Sequence, residues 1–546
     1  MKFMSKLYLL ILLSCSLLHA KPPKVAAIIV IDQFAYHYLE KIQPHLQKGM
    51  KFLLEKGVVY NRAYHPHANP STAVGHNAIS TGCFAKDHGV IGNKWFDYDG
   101  NGASYEADNS GNALVLSSDG LQDYGFSAEK VQVDGFSDQF MLTSKPHEQH
   151  EVFSISFKPR AAIGMANKLG KPFWYDSKMR QFTSSRAFLK KLPEWVTTFN
   201  KNNKIESVLK YLAWQLQYPE NILAYDSVFP NNYAYSSHPF SLVGEQLGTI
   251  DFKPGNEYED LFAKTPQANQ LLLNLAKKCV ADFVSRAKKN DKLLLWISLS
   301  PLDLVGHYYG PDSKEAIDLL YHLDYQIEDF INYMFAQFYK EDVLFALTAD
   351  HGVMPIVDVL KEKGYKKAGR LFPKELINAM NTIVADKFGV ENVVIGFQTP
   401  QFYFDKKIMK SLSVQERIAI IEELRFYLKS QPGIQDVWTF DELKNLTCDV
   451  GSADWFFKNQ LYLSRSGDLT CKCFPYNAIT QHPKGTHHRT PYEYDTHVPL
   501  VLYQQGSIED QKIDDKVWML QFANTLAKVF GIPGPSASKF DPLPGI

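Results

Sequence analysis

Residues Lys24 to Ile31 read KVAAIIVI, an apolar run with no alternation of polar and apolar positions. A strand with one wet face alternates; a continuous Val/Ile run is the mark of a strand covered on both faces, as in a parallel sheet packed between helices. Three more runs share this character: LLLWISLS from Leu293 to Ser300, VLFALTA from Val343 to Ala349, and HVPLVLY from His497 to Tyr503. The second and third are separated by SKEAIDLLYHLDYQIEDFINYMFAQF, whose apolar residues recur at spacings of three and four. That order is strand, helix, strand. A further helix is expected at GMKFLLEKG, Gly49 to Gly57, and another at VLKYLAW, Val208 to Trp214. The fold class predicted is α/β, with a central, mostly parallel sheet flanked by helices.

The runs have a second common feature, polar residues at or just past their C-terminal ends. Asp32 follows the first, Asp303 and His307 the second, Asp350 and His351 the third. In open parallel sheets the functional site lies outside the carboxyl ends of the strands. Taken singly, each residue has a plain alternative. Asp32 in IVIDQF could cap a helix, and Asp303 with His307 in SPLDLVGHYYG could cap a turn and pack a ring. Together they form a set of carboxylates and imidazoles. A metal ion would satisfy a buried carboxylate and imidazole placed side by side. His488, in KGTHHRTPYEYDTHVP, supplies a further imidazole from a loop, with His482, His487 and His497 as competitors. Six such donors divided between two sites suit a pair of zinc ions about 4 Å apart, which can clamp both oxygens of an in-line displacement. The segment HPHANPSTAVGHNAISTG offers Ser71, Thr72 and Ser80 as nucleophiles, at the start of a helix whose N-H groups favour an anion.

These segments resemble the alkaline phosphatase superfamily, and among its members the bacterial phosphate-irrepressible alkaline phosphatases. Those are related to the type I phosphodiesterase and nucleotide pyrophosphatase group. The resemblance runs from KVAAIIVIDQF to YEYDTHVPL and rests on six motifs in order. It implies an alkaline-phosphatase-like core with inserted cap segments, here roughly residues 98–200 and 355–480, in a catalytic domain spanning 21–546. It implies that Thr72 is the nucleophile and a metal contact, transiently phosphorylated. Asp32, Asp350 and His351 then match one zinc site, and Asp303, His307 and His488 the other. His488 is preferred to His487 because it stands four residues before Tyr492 of the Tyr-x-Tyr-Asp run; Arg489 stands where that motif usually has glycine. Asn93, in GVIGNKWFD, matches an amide donor to a phosphoryl oxygen. Lys158 and Arg160, in SISFKPRAAIG, match a cation pair of the monoesterase subgroup, with Pro159 where an aspartate is usual. Read as an extended segment, the pair shares one face and reaches one phosphate. Alone, each would read as a turn or surface residue.

The expected activity is therefore two-metal hydrolysis of small phosphate monoesters through a phosphothreonine, with phosphodiesterase or nucleotide pyrophosphatase activity as the alternative. A decayed binding protein would lack a ligand or the nucleophile, and a sulfatase would carry a C/S-x-P-x-R setting; neither condition is met. With 58 basic and 59 acidic residues, the net charge of -1 argues against a nucleic-acid partner. MKFMSKLYLLILLSCSLLHA has a basic start, a short apolar run and a small residue at Ala20, the pattern of a secretory signal peptide over 1–20. Cys15 only faintly matches a lipidation site. Export to the periplasm is expected, with secretion or outer-membrane association as variants, and a monomer without stable membrane insertion. Five cysteines follow, too few for a disulfide scaffold. Pairing of Cys448 with Cys471 or Cys473 is an open expectation. The aromatic FWYDSKMRQF, residues 173–182, is a candidate for the leaving-group side.

Overall fold

The computed structural model describes residues 21–117, 120–205, 207, 214–219, 223–226, 228 and 262–546. The expected signal peptide, and almost all of the helix expected at Val208 to Trp214, lie outside these.

The first apolar run forms the strand Val25–Ile31, every residue of which is buried. It pairs in parallel with Leu293–Leu299 on one side and Val343–Thr348 on the other. Register puts Ile31 opposite Leu299 and Val30 opposite Thr348. Asp32, Ser300 and Asp350 therefore leave the same edge at nearly the same height. Among the described residues the full sheet has ten strands. Its path runs Gln511–Ile513, Val58–Tyr64, His497–Tyr503, Val343–Thr348, Val25–Ile31, Leu293–Leu299, Glu151–Ser156, Lys171–Asp176, Gln181–Thr183, with Val517–Trp518 paired to Val58–Tyr64. The five strands from Val343–Thr348 to Lys171–Asp176 are mutually parallel. Helices Gly49–Lys56, Pro266–Arg286 and Lys314–Gln337 pack into the same core.

The fourth apolar run departs from the expected pattern of polar residues at its C-terminal end. His497–Tyr503 is antiparallel to Val343–Thr348. Its N-terminal end, not its C-terminal end, therefore reaches the site edge, and the loop carrying His488 precedes the strand. An apolar run carries no mark of strand direction.

A second, smaller sheet lies in the stretch 355–480, with the order Val394–Gln398, Gln401–Phe404, Leu469–Cys473, Ile434–Thr439 and all pairs antiparallel. Helices Pro373–Phe388 and Val414–Ser430 supply Met380, Val384, Ile420, Leu424 and Leu428 to its separate core. In the stretch 98–200, Gly102–Ser104, Leu114–Ser117 and Gly120–Gly125 form short strands outside the main sheet, whereas Glu151–Ser156, Lys171–Asp176 and Gln181–Thr183 belong to it.

The cysteines Cys83, Cys279, Cys448, Cys471 and Cys473 are free thiols. Cys471 and Cys473 lie two apart on the same strand and turn to the small core, while Cys448 follows the helix Phe440–Asn445 in a loop. The anticipated pairing is not formed. The aromatic stretch is also not where it was expected. Phe173 and Trp174 are fully buried and Phe182 nearly so, in the strands that extend the far side of the sheet.

Candidate active site

The carboxyl ends of the three central strands bring the predicted acidic and imidazole residues together. Asp32 and Asp350 are fully buried, as is His351. His351 Nε2 lies 3.5 Å from Asp32 Oδ1 and 3.4 Å from Asp350 Oδ2. Asp303 sits in the first turn of the helix Pro301–Tyr309, and His307 one turn later on the same face. His307 Nε2 is 3.1 Å from Asp303 Oδ1, and His488 Nε2 is 3.6 Å from the same oxygen. Donor atoms of Asp303, His307 and His488 fall within 4.8 Å of one another, and so do those of Asp32, Asp303 and His351. Asp303 thus faces both groups. His487 belongs to neither; its ring packs 5.3 Å from His307.

The three imidazoles are oriented alike. Nδ1 of His307 meets the carbonyl of Thr486 at 2.8 Å, that of His351 the carbonyl of Gly352 at 2.9 Å, and that of His488 the carbonyl of Pro70 at 2.7 Å. A carbonyl only accepts, so Nδ1 carries the hydrogen and Nε2 presents a lone pair to the carboxylates. Metal-ligating histidines are held in this way. Burial, with the neighbouring His351 and His307, holds the His488 imidazole well below its usual range, and burial lowers His351. Both shifts favour the neutral ring that a metal ligand requires. His351 Nε2 and Asp32 Oδ1 are buried and have no hydrogen-bond partner among the described residues. Orphaned buried polar atoms facing one another are costly unless something binds between them. Burial and the adjacent Asp350 raise the Asp32 carboxyl, whereas Asp303 is held well below the usual range: burial opposes ionisation there, and Lys158, His307 and His488 overcome it. Aspartate and histidine donors at these spacings fit a divalent cation of the zinc type.

Thr72 is the first residue of the helix Thr72–Thr81 and is 2% exposed. The helix is seated directly on Asp350. A Cβ added at Gly75 would fall 2.1 Å from the Asp350 carbonyl oxygen, so only glycine permits this approach. His76, one turn after Thr72, joins the two: its Nδ1 donates to the Thr72 carbonyl at 2.8 Å and lies 3.2 Å from Asp350 Oδ2. Asn93 Oδ1 accepts from the Ala73 N-H at 2.9 Å. That fixes the amide, leaving its NH₂ as the group free to face the cleft that Asn93 lines. It also occupies one of the helix N-H groups that had been expected to meet an anion.

Lys158 and Arg160 depart from the expected geometry. Lys158 is extended (φ -99°, ψ 120°) and precedes the helix Pro159–Ala166, so Arg160 is already helical. The two do not share the face of an extended segment; they leave a strand-helix junction. Pro159 is suited to that junction, because a first helical position needs no N-H and prefers the φ of proline. Lys158 Nζ sits 2.6 Å from Asp32 Oδ2 and also contacts Asp303 Oδ2. Its ammonium therefore touches one carboxylate of each group. Arg160 lines the cleft, and its Nε is buried without a hydrogen-bond partner among the described residues.

Two supporting residues escaped the sequence reading. Gln33 has φ +71°, and it donates from its backbone to Asp350 Oδ1 at 3.1 Å and from its side chain to Asp303 Oδ1 at 2.8 Å. A glutamine directly after Asp32 gives no sequence signal of that turn. His76 had one: it stands four residues after Thr72, on the same helix face.

The arrangement sets two groups of aspartate and histidine donors next to the helix Thr72–Thr81, which is seated on Asp350. Residues 26–498 match the family model for type I phosphodiesterase / nucleotide pyrophosphatase, and the chain belongs to that family. Alkaline phosphatase PafA of Elizabethkingia meningoseptica is 26% identical over 540 residues, 95% of this chain and 94% of the relative. Alkaline phosphatase PhoV of Synechococcus elongatus is 27% identical over 529 residues, 94% of this chain and 91% of the relative. A crystal structure of wild-type PafA superposes with a TM-score of 0.83 at 25% identity, covering 96% of this chain and 98% of that one. The fold is the alkaline-phosphatase-like one.

Proposed function

We propose that the chain hydrolyses phosphate monoesters at this site through a phosphothreonine at Thr72. The observation that carries the reading is the common orientation of His307, His351 and His488, each with Nδ1 tied to a carbonyl and Nε2 turned toward buried carboxylates. Asp32, Asp350 and His351 would hold one zinc ion and Asp303, His307 and His488 the other; when bound, the pair supplies Lewis acidity that favours the ionised threonine and water oxygens and takes up charge on the leaving oxygen.

The chain's own residues account for the rest. The Thr72 oxygen attacks phosphorus, the bond to the leaving oxygen breaks, and that oxygen takes a proton from solvent. Water then attacks the phosphothreonine, giving inorganic phosphate and restoring the hydroxyl. Gly75 and His76 hold the helix on Asp350, so Thr72 starts from a fixed position. The Asn93 amide, the Lys158 ammonium and the Arg160 guanidinium provide donors for the nonbridging oxygens. A monoester has one more charged oxygen than a diester, and two cations at one junction favour it. That two full-length relatives are named alkaline phosphatases supports this choice. Diester or nucleotide pyrophosphate hydrolysis, named in the family description, is the alternative with the same donors.

Rates for an aryl phosphate and its methyl diester, measured on one metal-analysed sample, test the reading. About two metal ions per chain and a clear excess of monoester turnover are expected. Full activity after exhaustive chelation, or faster diester cleavage, would overturn it. Export with cleavage before Lys21 is part of the same proposal, as is action on small phosphate esters by a monomer. No helix among the described residues is long and apolar enough to cross a membrane.

A further inference from the structure

Arg489 follows His488 directly and has φ +93°. That backbone region is costly for any residue with a Cβ and free for glycine. Nothing in the fold repays the strain, because the Arg489 side chain makes no hydrogen bond and no ion pair among the described residues. It faces a cleft of about 700 Å³ that His488 also lines and that reaches the smaller sheet at Phe397 and Cys471. Strain retained at a residue without structural partners is a pointer to function.

The lining of that cleft has one sign of charge. Arg160, Arg489, Lys94 and Lys374 contribute to it, and not one lining residue is an aspartate or glutamate. The four cations come from separate parts of the chain. Arg160 belongs to the helix after the Glu151–Ser156 strand, Lys94 to a short strand, Lys374 to the helix Pro373–Phe388 and Arg489 to the His488 loop. The nearest acidic influence on Arg489 is Asp303, which Lys158, His307 and Gln33 already engage, while Arg160 repels it. The cleft wall is therefore cationic beyond what one transferring phosphoryl group requires. A cleft lined by one sign of charge concentrates the opposite sign.

We propose that this cleft selects phosphate monoesters whose leaving group carries a second anionic group, a carboxylate or another phosphate, and that Arg489 is its principal contact. The inference rests on the monoesterase reading and specifies its substrate class. A guanidinium binds a carboxylate or phosphate in a two-pronged, charge-assisted geometry, which lysine does not reproduce.

The test uses two substrates of nearly equal shape. Glycerol 3-phosphate releases a neutral alcohol, and 3-phosphoglycerate releases one bearing a carboxylate. For the wild-type metal-loaded enzyme at low salt, kcat/KM is expected to favour 3-phosphoglycerate by about tenfold, falling as salt rises. Arg489→Gly should bring the ratio down to about one, Arg489→Lys should restore only part of it, and Lys374→Glu should lower it from a separate element. The ratio cancels any disturbance of the adjacent His488, because both substrates use the same donors. Arg489→Gly should melt at the same or a higher temperature, since glycine adopts this backbone freely. Comparable turnover of both substrates, unchanged in Arg489→Gly, would overturn the inference and leave the monoesterase reading intact. An Arg489→Gly protein that melts earlier with its ratio unchanged would assign the arginine a structural role instead. No turnover of either substrate by the metal-loaded enzyme would overturn both.

Discussion

Replacing Thr72 with alanine is expected to lower kcat for a phosphate monoester by about 10⁴-fold or more, with metal content unchanged at about two ions per chain. The separation follows from geometry. The six side chains that would hold the metals come from the strand ends, the helix Pro301–Tyr309 and the His488 loop, outside the helix that carries Thr72. The helix Thr72–Thr81 is anchored by Gly75 on Asp350 and by the backbone carbonyl of Thr72 accepting from His76, contacts that alanine preserves. Thr72→Ser keeps the hydroxyl at the same helical position and should retain activity within about tenfold. Acid quenching of the wild-type enzyme during turnover of labelled substrate should leave phosphate on residue 72. An alanine variant with wild-type kcat would remove Thr72 from the chemistry, whatever the metals do.

The second large effect concerns the cation pair. Lys158→Ala with Arg160→Ala is expected to reduce kcat/KM for the monoester by about 10²- to 10⁴-fold, on the basis of about 1.5–3 kcal/mol for each hydrogen bond to a charged group. For the matching diester the loss should stay near tenfold or below, because that oxygen carries carbon and no full charge. The two residues differ in how much else they do. Lys158 is 8% exposed and spans Asp32 and Asp303, so its loss also leaves buried carboxylates without their cation. Arg160 has an unpartnered Nε and touches no carboxylate among the described residues, so Arg160→Ala should lower monoester turnover with little change in melting temperature. Equal losses on monoester and diester in the double variant would detach the pair from substrate choice.

The parts of this site that were legible in sequence share a physical cause. Asp32, Asp303, His307, Asp350 and His351 are polar residues at the ends of runs too apolar to hold them, and such runs can only be interior strands. The ends of interior parallel strands converge on one edge, so residues far apart in sequence meet there. What was not legible depends on local backbone angles or on strand sense. The antiparallel direction of His497–Tyr503 leaves no trace in an apolar run. The left-handed turns at Gln33 and Arg489 cannot be seen in residue types that ordinarily avoid them. The i, i+2 spacing of Lys158 and Arg160 suits an extended pair, and only the structure shows Pro159 opening a helix between them. The aromatic stretch from Phe173 to Phe182 looked like a pocket wall because aromatic rings serve both cores and clefts, and here they fill the core.

Diffraction at the zinc absorption edge, from crystals of the purified protein, tests the central claim most directly. The account predicts two anomalous peaks about 4 Å apart, one against Asp32, Asp350 and His351 and the other against Asp303, His307 and His488, both beside Thr72. Fully active crystals with no anomalous peak among these residues for zinc or any other transition metal would contradict it.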